Sequence, residues 1–153
     1  MKNVGQCVFD PAEAADLRRR RRRETVELIL NRSAYLPDRD RLLIEGVFGE
    51  GHSVTELSAL TGEAPRTLRR RVRRIVQRMV GVGQVGAGRG GGDKFLFVVR
   101  HMDNWAPTRR RVAEVCVLEG LSLRQAADRL GLSLYAVRRH HEAINAQLEA
   151  ITR

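Results

Sequence analysis

The segment Pro65–Arg78 holds seven arginines (Arg66, Arg69, Arg70, Arg71, Arg73, Arg74 and Arg78) and no acidic residue. A guanidinium is planar, permanently charged and forked, so it matches two phosphate oxygens or the N7/O6 edge of guanine. Solvated helix faces ordinarily mix signs, and this one does not. With Leu68, Val72 and Ile75 turned to a core, Arg66, Arg69, Arg70 and Arg73 fall on the opposite face, with Thr67 among them. That is the geometry of a helix lying in a major groove, early residues at bases and later ones at phosphates. A second cationic run, Arg18–Arg23, is six arginines long. Six residues exceed one helical turn, so this band is charged all round and suits sequence-independent phosphate contact.

Weaker candidates follow. Ser133, Tyr135, Arg138 and Arg139 form a comparable outward set late in the chain, with Glu142 diluting its field. Arg89 and Lys94 flank a glycine-rich stretch where a cation could reach a phosphate or the minor groove. His140 and His141 are adjacent, so one of them must approach the core; packing or phosphate contact fits them better than metal ligation. Trp105, beside Pro107, reads as a core anchor rather than a base-stacking platform.

Catalytic readings fail on context. Gly81–Gly86 spells G-x-G-x-x-G, but that fingerprint needs a preceding strand and a following helix to receive pyrophosphate. Here a helix precedes and more glycines follow. Asp38 and Asp40 sit at a helix start, where capping and the helix dipole explain them. Cys7 and Cys116 cannot build a disulfide framework, and no Cys/His spacing suits zinc. No enzyme activity, metal or cofactor is expected.

The elements that must position these residues are mostly helical. Asp10-Pro11-Ala12-Glu13 has the form of a capping box with Pro at the first helical position, and Val26, Ile29 and Leu30 give that helix a buried second half. Leu43/Val47 and Ile44/Phe48 mark a helix closed by Gly49 and Gly51; Ser53 caps the next through Leu60, and Pro65 opens the third. Lys94–Val99 reads as a strand that Val82–Val85 could pair with, leaving Gly86–Asp93 as the loop of a β-hairpin wing. Thr108–Glu119, a helix capped by Ser122 and one capped by Ser133 complete the chain.

A shift of 69 residues superposes the two helical parts without a gap. Glu50-Gly51 falls on Glu119-Gly120, Ser53 on Ser122, Gly62 on Gly131, Leu68 on Val137 and Arg69-Arg70 on Arg138-Arg139. The second copy, Ser122–Arg139, resembles the promoter-recognition helix-turn-helix domain of bacterial sigma factors. Ala127 at a close helix crossing, Gly131 at the turn and Val137 packing the second helix carry the resemblance. It implies a recognition helix capped by Ser133. The first copy departs at its cap, where Ala64-Pro65 stands.

The expected fold is therefore mainly α, with two tandem trihelical helix-turn-helix modules, the first with an optional wing. The expected division is 1–35 as a basic helix, 36–100 as the first module with wing or linker, and 101–153 as the second. The chain has 153 residues, 28 Lys+Arg against 18 Asp+Glu and a net charge of +10, which favours a polyanionic partner. Its longest uncharged run, Met79–Gly88, is ten residues, too short to span a membrane. The reading is a sequence-specific double-stranded DNA-binding regulator of bacterial or phage type, cytoplasmic and associated with the nucleoid. The alternative is an adaptor in which one module binds DNA and the other binds RNA polymerase or a second copy of the chain.

Overall fold

The structure, a computed structural model, describes residues 11–81 and 91–151, with side chains described for 15–81 and 94–151. Helix α1 spans Pro11–Ser33. Proline fits its first turn because the N–H it lacks would have had no helical partner. The proposed cap Asp10 lies outside the described residues. All six arginines of the 18–23 band are exposed, whereas Ile29 is buried. Only the second half of α1 therefore belongs to the core, as its residue pattern requires. There Arg32 donates to the Met79 carbonyl at the end of α4.

The remaining helices form two sets. In the first, α2 (Asp38–Ile44) runs into a π-helical turn at Glu45–Gly49, followed by α3 (Val54–Thr61) and α4 (Pro65–Val80). After α5 (Gly91–His101) come α6 (Pro107–Ala113), a π-helical turn at Glu114–Leu118, α7 (Leu123–Leu130) and α8 (Leu134–Ile151). The 69-residue offset carries every start of the first set onto the second. Even the widened turn repeats: Glu50 N–H donates to the Glu45 carbonyl and Glu119 N–H to that of Glu114, both at 2.9 Å.

The local chemistry repeats with it. Ser53 and Glu56 make a reciprocal capping box, as do Ser122 and Gln125. Gly62 and Gly131 end α3 and α7 with φ of 74° and 65°, a left-handed conformation in which a Cβ is strained. Ser133 caps α8 by accepting the Ala136 N–H at 3.1 Å, while α4 starts at Ala64-Pro65 with no side-chain cap.

The wing is the expectation that fails. Among the described residues there is no strand, and Lys94–Val99 lies inside α5. Its apolar run satisfies a helical period as well as an alternating one, so sequence alone could not decide. Packing decides: Phe95, Val98 and Val99, at i, i+3 and i+4, turn one side of α5 into the core, and Phe97 lies near His101 and Trp105 at ring separations of 4.7 and 5.8 Å. Val82–Val85, the expected strand partner, and Arg89 lie outside the described residues.

Helix α5 is the element between the two sets, contacting α4, the second π-helical turn and α8. One core consequently joins Ile44, Leu68 and Ile75 of the first set to Phe95 and Val98 of α5 and to Val117 and Ile144 of the second. A smaller cluster of Val112, Val115, Ala126, Ala127 and Val137 serves the second set alone. Phe95→Ala should lower unfolding stability by roughly 3–5 kcal/mol and shift one cooperative transition seen by both circular dichroism and tryptophan fluorescence. Two separated transitions in the unaltered chain would contradict a shared core.

Candidate nucleic-acid interface

The seven arginines of α4 divide into two groups by what they meet. Arg66, Arg69, Arg70, Arg73 and Arg74 are exposed, with Thr67 exposed among them. Among the described residues none of these five has an acidic partner. Arg71 and Arg78 instead point along the flank that faces α2. Arg71 donates to Asp40 Oδ1 from Nε at 3.0 Å and Nη2 at 2.6 Å, and to Glu63 at 3.3 Å. Arg78 Nη2 lies 3.4 Å from Asp40 Oδ2, and its Nε donates to the Leu118 carbonyl at 3.0 Å. Asp40 is thus an internal acceptor for two cations, not a helix cap; the side chains of α2 provide no cap hydrogen bond at its start.

Around this flank a groove of about 700 Å³ is lined by Arg39, Arg70 and Arg74 together with Asp40, Glu63 and Glu119. Arg39 pairs with Glu63, and Arg129 pairs with Glu119 at 3.2 Å. Its three carboxylates are taken up by Arg39, Arg71, Arg78 and Arg129, which leaves Arg70 and Arg74 of the lining without an acidic partner among the described residues. With Arg66, Arg69 and Arg73 they form the uncompensated positive face of α4. Arg74 was not among the sequence candidates, although its spacing from Arg70 places it one turn along.

In the second set, Tyr135 is 75% exposed, and Ser133, Arg138 and Arg139 are exposed beside it. Tyr135 and Arg139 also line a smaller cavity with Arg109, Ala136, His140 and Ala143. Arg109 and His140 were not singled out together from sequence, because they are 31 residues apart on different helices.

Lys94 does not serve as a wing-tip cation. It is half-buried on α5 and its ammonium donates to His141 Nε2 at 2.7 Å. Burial lowers the Lys94 pKa, opposed by Cys116, and burial raises that of the Cys116 thiol, opposed by Lys94. The His141 pKa falls below the ordinary value of 6.5, first through burial and then through Lys94, with Glu142 opposing. An imidazole that accepts from an ammonium must be neutral at that nitrogen, so geometry and charge agree. No cluster of three or more His, Cys, Asp or Glu side chains able to hold a metal ion occurs among the described residues, and none of their helices is long and apolar enough to cross a membrane.

No protein-family model, curated protein or solved structure shows significant similarity to this chain.

Two expectations follow. Arg71→Ala leaves part of the Asp40 and Glu63 charge unpaired in a half-buried site and should cost about 1–3 kcal/mol of stability, whereas Arg69→Ala, which removes one of several like charges, should not lower the melting temperature. Equal melting temperatures for the two variants would contradict this division. For His141 the folded pKa lies below the unfolded one, so its contribution is fully present above pH 6.5 and is lost as pH falls below that value, where the unfolded chain takes up the proton first. Denaturant midpoints between pH 7.5 and pH 5 should therefore fall less in His141→Gln than in the unaltered chain; parallel curves would place the acid sensitivity elsewhere.

Proposed function

We propose that the chain is a sequence-specific double-stranded DNA-binding protein, a transcription regulator of bacterial or phage type. In this reading α3–α4 and α7–α8 are tandem helix-turn-helix units, and α4 and α8 are their recognition helices. The observation that carries it is the sorting of the α4 arginines. Two are neutralised inside the fold, and five face solvent without an acidic partner among the described residues. A helix that carries five uncompensated guanidinium groups on one side repels itself unless a polyanion is present. Arg66, Arg69 and Arg70, nearest the N-terminus of α4, are the proposed base readers; Arg73 and Arg74 are the proposed phosphate contacts. The exposed band Arg18–Arg23 on α1 adds phosphate affinity without sequence preference.

A second reading assigns α8 to a protein partner such as RNA polymerase or another copy of the chain. The 75% exposure of Tyr135 favours it, because a large exposed aromatic suits a protein contact. The double variant Arg138→Ala, Arg139→Ala separates the two. Both residues are exposed and have no partner that supports the core, so the fold should persist. If both helices read DNA, the footprint shortens by one half-site and affinity drops by a few kcal/mol. An unchanged footprint with lost dimerisation or polymerase recruitment would end the tandem reading.

A further inference from the structure

The two repeats differ in charge where α8 meets α6. The 69-residue register places Arg109 at the position of Asp40, Leu132 at that of Glu63, and His140 at that of Arg71. In the first repeat these three positions form an ion cluster in which two carboxylates neutralise Arg71. In the second, both carboxylates are gone. One is replaced by a guanidinium and the other by a leucine, while the position of Arg71 holds the imidazole of His140.

The consequence is visible at Arg109. Its Nε–H is buried and has no hydrogen-bond acceptor among the described residues. A buried guanidinium N–H without an acceptor is costly, and such groups in a native protein call for an explanation. Arg109 borders a cavity of about 370 Å³ that Arg139, His140 and Tyr135 also line, and no acidic residue borders it. Its remaining walls are Ala136 and Ala143, whose small side chains leave room between the cations. Tyr135 and Ala136 belong to the first turn of α8, whose positive dipole end adds to the same field.

We infer that Arg109, Arg139 and His140 form a binding site for a phosphate group, which supplies from outside the negative charge that Asp40 and Glu63 supply inside the first repeat. Arg109 and Arg139 bring guanidinium donors to the cavity, His140 an imidazole, and Tyr135 lines the same space. Assigning this phosphate to a DNA backbone rests on the function proposed above; a free phosphorylated small molecule has the same chemistry and would fill the same site.

The test uses the full chain, inorganic phosphate as the probe, and Arg109→Asp, a substitution that installs the carboxylate the first repeat already carries there. Melting temperature is measured against increasing phosphate, with chloride at matched ionic strength as the reference. The unaltered chain should gain stability saturably over the chloride reference, and Arg109→Asp should lose most of that gain. Should the variant fold poorly, the Arg109 Nε–H resonance of the unaltered chain provides the second measurement, and it should shift saturably with phosphate. Equal phosphate responses in both proteins, or an Nε–H resonance that phosphate leaves in place, would overturn the site. Duplex binding then separates the sources. A salt dependence shallower by roughly one unit in Arg109→Asp assigns the phosphate to DNA. Unchanged duplex binding alongside a lost phosphate response assigns it to a free ligand. A chain that responds to phosphate but binds no duplex would retain this site and refute the DNA-binding reading.

Discussion

Arg78 joins the two halves of the molecule. It stands on α4, yet its Nε donates to the Leu118 carbonyl in the second repeat and its Nη2 approaches Asp40 in the first. Burial lowers the proton affinity of the guanidinium, and Asp40 and then Glu119 oppose that loss. Arginine alone among cationic side chains could span this junction while staying charged. Its fit also fixes Gly120, where φ is +73° and an added Cβ would stand 2.8 Å from Arg78 Cζ. Glycine suits the turn that follows the second π-helical turn through its left-handed backbone, and a side chain there would also displace Arg78 from its partners.

Because the junction runs through α4, the helix with the arginine face is also the helix that sets the orientation of the repeats. Helix α5 completes the arrangement from the other side, with Phe95 and Val98 in the common core. A pair of modules joined by a flexible linker could adjust its spacing to different targets. Modules that share a core and a buried guanidinium present their outer faces at one separation.

Most of the repeat was legible in the sequence because it is written in local signals. Ser53 and Ser122, and Gly62 and Gly131, each act within a turn or two of the chain and recur at the 69-residue register, and the structure places all of them as the spacing implied. The fate of Lys94–Val99 was not legible. Six mostly apolar residues suit either period, and the choice fell to packing against α4 and against α8, which lies far along the chain. Lys94 moved inward with that helix. The α4 arginines were half legible: Arg71 and Arg78 share a flank by their spacing, but Asp40, which makes them structural, is 31 residues before Arg71. The asymmetry at Arg109 needed both the register and the three-dimensional neighbourhood of Asp40, and neither suffices alone.

The most direct test of a locked tandem reader is selection of bound sites from random duplex DNA. If α4 and α8 read DNA as proposed, and the shared core holds them at one separation, they should enrich a two-part motif whose halves keep a single spacing, about 10 bp from centre to centre. A single short motif, or two halves recovered at drifting separations, would contradict it.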